Sequence, residues 1–333
     1  MGKGYLIAFT FLATVLTLSF FSGGAGAQQG RSAVPLPPDL SWLPTIMAEP
    51  WLQIGESPGL FLEGPAFDRA GNFYLSSLLD GRVLKITPEK KVATILEQKG
   101  LIPNGIAFHK DGRLFVACSD GKLIALNPDG TNVTDIASRY QGKPAIFNDL
   151  VFDAKGNLYA TDFTGHAGNP TGGVYRFSAD FAKVDPVLEG LVLANGVALS
   201  PSGKELWVVE TGRADIVLVQ LMDDGITIRP PAGCTVPYRF TGGGPDSMTV
   251  DADGNAYVCI NGQGRIVVLN PRGIPIANVL IPGRDEGMHL LVTNLKFKPG
   301  TDEAYVTLSG KGGGWVYRFK GLAKAVTLFG DQQ

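Results

Sequence analysis

Six times along the chain an apolar strand runs into an Asp/Gly-rich turn, and a second apolar strand follows. The copies occupy residues 64–74, 105–115, 149–159, 196–206, 247–257 and 294–304, so successive starts fall 41, 44, 47, 51 and 47 residues apart. Self-similarity at this period belongs to propellers and solenoids. Helical repeats would need apolar residues spaced at 3.6, and that spacing is missing. Each unit instead continues through a loop to a third strand (residues 83–86, 123–126, 174–177 and 266–269 are examples) and then a short fourth one. Four strands per unit and six units predict an all-β, six-bladed propeller with four-stranded blades. The 44 Gly and 22 Pro among 333 residues, without a collagen period, suit the many turns this requires. With 44% hydrophobic and 18% charged residues, the chain is too apolar for disorder.

Within the first strand the large residues keep period two. Counting from the turn residue as zero (Gly71, Gly112, Gly156, Gly203, Gly254 and Thr301), position −4 holds Phe67, Phe108, Phe152, Leu199, Val250 and Phe297. Position −5 holds Ala66, Ala107, Val151, Ala198 and Thr249, with Lys296 the exception. Large residues on one side and small on the other let neighbouring blades interdigitate. Residues 51–55 and 325–329 both resemble a fourth strand, so either terminus can close the last blade.

The first segment is an address. Lys3 precedes an uncharged apolar run over residues 5–21, and small residues through Ala25 and Ala27 offer an A-x-A cleavage site. Residues 1–27 are therefore expected to be a signal peptide, residues 28–47 a Pro-rich linker and residues 48–330 the propeller, exported to the periplasm or beyond. The alternative is a retained anchor, since 17 apolar residues reach the lower edge of a spanning helix. A net charge of −2 provides no basic field for nucleic acid. Three Cys without a CxxC pair exclude a disulfide framework and thiol redox chemistry.

Chemistry concentrates at one phase of the repeat. Position −8, where each inner strand begins, holds Glu63, Asn104, Asn148, Asn195, Asp246 and Thr293. Equivalent strand starts in a propeller converge on one end of the central channel, so six side-chain oxygens should surround one axis. Asn104-Gly105 and Asn195-Gly196 are also turn dipeptides by themselves, but Glu63, Asn148 and Asp246 have no such explanation. Two carboxylates with amide oxygens, and no Cys or His, suit a hard divalent cation. Ca²⁺ fits best, with Mg²⁺, Mn²⁺ or Zn²⁺ as alternatives.

The chain resembles the senescence marker protein, gluconolactonase and luciferin-regenerating enzyme family of six-bladed propellers. The motifs are Leu62-Glu63-Gly64-Pro65, Asn148-Asp149, Ala194-Asn195-Gly196 and Gly244-Pro245-Asp246-Ser247-Met248. Residues 48–52, 109–115, 172–175, 262–265 and 281–287 are similar to the bacterial drug-responsive lactonase branch. The resemblance implies one divalent ion held by Glu63, Asn148, Asn195 and Asp246, with Asp246 as catalytic proton carrier. Asn104, Asp149, Ser247 and Thr293 are candidates for contact with a small-molecule lactone. Two departures stand out. Asn148 replaces a carboxylate of that branch, and the stretch 119–122 is too short to carry over that branch's second ion site.

The implied reaction is lactone opening by water, with the ion polarising the carbonyl and Asp246 moving a proton to the departing alkoxide. Asp149 is an alternative relay, or simply a packing hydrogen bond. A fluorophosphatase-like hydrolase and a non-catalytic ligand-binding propeller with a structural ion are the other readings. His166 reads as a solvated loop residue, His109 as a turn residue, and His289 as part of a loop over the channel. Cys118 and Cys259 are expected to be buried thiols. Residues 242–244 and 312–314 lack the following helix of a phosphate cradle.

Overall fold

The computed structural model describes residues 32–137, 139–140 and 143–332. It contains six meandering antiparallel sheets arranged around an axis. Their inner strands are Leu62–Phe67, Pro103–Phe108, Phe147–Phe152, Ala194–Leu199, Gly244–Val250 and Leu291–Phe297. Each inner strand packs against the next, and the sixth returns to the first. The period-two pattern has a direct packing cause. In the second strand of blade five (Ala256–Asn261), Ala256, Val258 and Ile260 enter the core shared with blade four, while Tyr257 and Cys259 enter the core shared with blade six. Both faces of these strands are dry, and each fully buried Val, Leu or Ile contributes about 1.5–3 kcal/mol relative to exposure.

The ring is closed by the N-terminal candidate. Glu49–Gly55 pairs antiparallel with Gly314–Lys320 as the outer strand of blade six. Trp51 anchors it edge-on against Phe73 of blade one and Tyr305 of blade six, with ring centroids 5.7 and 5.0 Å apart. The C-terminal candidate does something else. Ala325 makes a single bridge to Asp251, and Phe329–Asp331 forms a 3-10 turn across the end of the channel opposite the strand starts. There Phe329 meets His109 and Phe152, at 4.9 and 5.7 Å between centroids, and Lys110 lies over its ring.

The stretch expected to be a linker is docked over its described part. Thr45–Met47 adds a parallel fifth strand to blade five, and Leu40 and Leu43 are buried between blades four and five. Asn278 donates its backbone N–H to the carbonyl of Pro44 and its side-chain amide to that of Leu40, both at 2.9 Å. Proline-rich sequence reads as linker because it cannot extend a sheet interior; here it lies on the outside of one. The expected signal segment, residues 1–27, lies outside the described residues.

Candidate active site

Every inner strand carries one extra residue near its start. Pairing with the second strand slips between Glu63 and Ala66, Pro103 and Ile106, Phe147 and Leu150, Ala194 and Val197, Pro245 and Met248, and Val292 and Asn294. A β-bulge breaks the face-to-face alternation and re-aims side chains. In blades two to five positions −8 and −7, which an unbroken strand would send to opposite blades, are released from that rule; in blade one the released pair is Gly64 and Pro65, just after Glu63. The six bulges lie at one end of the channel, where they form its mouth.

The Asn-Gly pairs are part of this construction and not turns. Both lie inside strands. A Cβ on Gly105 would stand 2.6 Å from an oxygen of Asp149 in the next blade, and one on Gly196 would stand 2.7 Å from Cα of Ser247. Glycine is required because adjacent inner strands touch there.

Asn195 and Asp246 are joined directly. The amide of Asn195 donates to Oδ1 of Asp246 at 2.8 Å and lies 3.2 Å from the hydroxyl of Thr211. Ser247 donates to Oδ1 of Asn195 at 3.2 Å, and Asn261 donates to the second oxygen of Asp246 at 2.9 Å. Glu63 accepts from the N–H of Gly64 at 3.3 Å and from the side chain of Asn294. Asn148 is buried, and its Oδ1 has no hydrogen-bond partner. Asn104 donates to Ser119 at 3.2 Å and likewise leaves a buried, unpartnered Oδ1. Asp149 accepts from the N–H of Leu150 at 2.8 Å and is bonded by Val197 and Ser247 of the next two blades, so the packing role expected for it is real.

Thr293 is the correction. Its hydroxyl is fully buried, bonded 2.6 Å from the carbonyl of Leu62 and 2.8 Å from the hydroxyl of Thr307. It stitches blade six to blade one, and its buried hydroxyl is engaged with both. In blade six the bulge frees only Thr293, and Asn294 is already back in register with Thr307. The channel-side polar group of this blade is therefore Asn294, one residue later than the repeat phase indicates.

Burial sets the electrostatics. Glu63 is pushed well above the ordinary carboxylate range, first by desolvation and then by Asp246 and Asp149. Desolvation likewise raises Asp246 to about 7, against the hydrogen bonds from Asn261 and Asn195, and Asp149 to about 6, partly offset by Lys296. Three carboxyl groups thus share one water-poor mouth, and among the described residues neither Glu63 nor Asp246 is ion-paired. No three of Asp, Glu, His and Cys gather as a metal-holding group among the described residues, so any cation would depend on the asparagine oxygens as well.

Several supporting residues escaped sequence reasoning. Asn261 ends a second strand, Ser119 and Thr211 directly follow theirs, and each partners the ring residue of its own blade: Asp246, Asn104 and Asn195. Aligning the second strands as the first were aligned exposes that phase. Lys296, the odd member of position −5, lines the lower channel with Ala66, Ala107, Val151 and Asp331. Of the histidines, His166 is an exposed loop residue, His109 packs against the floor at Phe329, and His289 meets Trp315 edge-on and Tyr317 at a tilt. Cys118 and Cys259 are buried free thiols, as expected, and Cys234 is exposed.

Known proteins carry the same organisation. Residues 61–310 match the model of the SMP-30/gluconolactonase/LRE-like region. A protein named lactonase drp35, from Staphylococcus aureus (strain USA300), is 44% identical over 320 residues, which cover 93% of this chain and 96% of that protein. In structure the chain is similar to a luciferin-regenerating enzyme (TM-score 0.70, 24% identity, 84% of this chain and 98% of the other). It is also similar to regucalcin, described as a calcium-binding protein, from Agrobacterium tumefaciens (TM-score 0.69, 19% identity, 86% and 99%). By its match over most of the propeller and its identity to the staphylococcal protein, this chain belongs to the SMP-30/gluconolactonase/LRE-like family.

Proposed function

We propose that the chain is a divalent-cation-dependent lactonase acting on a small lactone at the mouth of the channel, outside the cytoplasm after loss of residues 1–27. The observation that carries this reading is the pair of buried carboxyl groups, Glu63 and Asp246, set beside the unpartnered oxygen of Asn148. Such a set is unfavourable without a cation and is chemically matched to one that prefers oxygen. The donors fit Ca²⁺ best; regucalcin, of the same fold, is described as calcium-binding. Glu63, Asn148, Asn195 and Asp246 would hold the ion, which when bound supplies Lewis acidity to a carbonyl and acidifies water.

The rest falls to the chain's own residues. Asn195 and Asn261 grip both oxygens of Asp246 and fix the plane of its carboxylate. So held, Asp246 can take a proton from the attacking water and return it to the alkoxide as the acyl C–O bond breaks. The ring of buried inner strands excludes bulk water, which strengthens each of these interactions. The 44% identity to a protein named lactonase supports the acyl substrate over a phosphorus ester.

The test is a substrate panel of sugar lactones, aromatic lactones and fluorophosphates. Lactone hydrolysis should vanish after dialysis against chelator and return with Ca²⁺ or Mn²⁺. Full activity in a verified metal-free preparation would defeat the cation, and turnover of fluorophosphates alone would defeat the lactone.

A further inference from the structure

The seam between blades four and five ends, at the mouth side, in a cation that has nothing to hold. Arg265 opens the third strand of blade five (Arg265–Leu269). Alternation places it on the same face as Val267 and Leu269, which enter the core shared with blade four. Its exposure is 0%, and none of its three guanidinium nitrogens has a hydrogen-bond partner. Arg284 approaches from the loop after blade five and is also buried, but its nitrogens are engaged. Nε donates to the carbonyl of Gln263 at 3.0 Å, Nη1 to Asp285 at 2.8 Å and Nη2 to the carbonyl of Val34. Tyr238 of blade four and Asp39 of the N-terminal segment are the remaining groups that act on Arg265 electrostatically.

A guanidinium stripped of water and given no acceptor is strongly unfavourable. Deprotonation offers no escape, because burial lowers its pKa only to about 10 and it stays charged at neutral pH. Arg284 adds a second positive charge, and Asp285, mostly exposed, is engaged with it. The N-terminal segment closes the seam from outside through the N–H of Ala33 on the Asp285 carbonyl at 2.7 Å and through buried Leu40.

We propose that Arg265 holds a small anion, a compact acceptor such as chloride or a single carboxylate group, sealed beneath residues 33–43. The planar fork of N–H donors is built for such an acceptor. The anion enters as the blades close in folding, or when the segment lifts. Gln263, two residues before Arg265, donates to the carbonyl of Thr241 at 2.8 Å in the segment that leads into the strand bearing Asp246, so the anion braces the mouth without taking part in the reaction.

The test needs no substrate. The full protein is exchanged into buffer balanced with a bulky organic sulfonate, and its Tm is followed as chloride or acetate replaces the sulfonate at constant ionic strength. Occupancy at a hundredfold excess over Kd should raise Tm by on the order of 5 °C, with the two arms telling halide from carboxylate. Arg265→Met should fold, since an apolar residue of similar length replaces an isolated charge, and should show no such rise. Crystals soaked in bromide supply a readout independent of the variant: an anomalous peak at hydrogen-bond distance from Arg265. A wild-type Tm indifferent to both anions, or an equal rise in Arg265→Met, would overturn the proposal in favour of ordered water.

Discussion

The two ends of the central channel are made by the same six strands, yet they are opposites. At the mouth, Glu63, Asn148, Asp149, Asn195 and Asp246 crowd buried polar groups together. Four residues further along the strands, about 13 Å at ordinary strand rise, the side chains become Phe67, Phe108, Phe152 and Phe297, capped by Phe329. The cavity left there is about 30 Å³, room for about two waters at most. Regular pairing makes the floor, where alternation is intact and apolar rings interlock. The bulges make the mouth, where alternation is broken and a polar group can face the axis from each blade. One added residue per strand thus separates a packing end from a chemical end. It also makes the mouth the thermodynamically strained end, because desolvation there is offset by amide hydrogen bonds and not by ion pairs.

The sharpest way to test this division is Asp246→Asn, which keeps shape and one oxygen but loses the charge and the proton. At saturating Ca²⁺, kcat for lactone hydrolysis should remain down by about 10²-fold or more, with Asn148→Asp as a control that alters charge at the ring without replacing either amide, Asn195 or Asn261, that holds Asp246. Recovery of near-wild-type kcat would confine Asp246 to holding the ion and transfer proton duty to Asp149 or to water. At the floor the expected loss is of another kind. Phe329→Ala should lower stability by about 3 kcal/mol, read from denaturant unfolding, while kcat stays within about twofold of wild type. A parallel fall in kcat would mean that the ends are not independent.

The smallest effect concerns pH. Asp246 and Asp149 rise from an ordinary 3.8 to about 7 and about 6 in the folded chain. Between those limits the folded protein keeps protons that the unfolded chain has released, so stability is greatest below the unfolded pKa and is lost as pH rises through the folded values. The chelated protein should therefore gain stability as pH is lowered from 7 toward 5. Asp246→Asn should flatten that slope, and an unchanged slope in the variant would place the proton uptake elsewhere.

How far the sequence can be read follows the same boundary. Where alternation is unbroken, side-chain direction is local information: Phe152 at position −4 and Ala107 at −5 face where period two says they face. At the bulges that information fails. Thr293 occupies the ring phase but bonds sideways to Leu62, while Asn294, out of phase, reaches Glu63. Asn261 and Thr211 come to the mouth from second strands, through contacts that no spacing along the first strand encodes.

What the sequence determined by itself was the repeat: six units, four strands each, a polar residue at each strand start, and the carboxylates among them. These depend on periods of two and of about 45 residues, and a period survives whatever the distant contacts turn out to be. Tertiary structure alone decided which terminus closes the ring. Two segments had the composition of an outer strand, but the last sheet has one open edge, and residues 49–55 occupy it while residues 325–331 seal the floor. It alone decided that residues 33–47 dock on blades four and five, since proline-rich sequence carries no record of the surface it will meet. It alone buried Arg265 without a partner, because the groups around it come from blade four, from the loop after blade five and from the N-terminal segment, and only the folded ring brings them together.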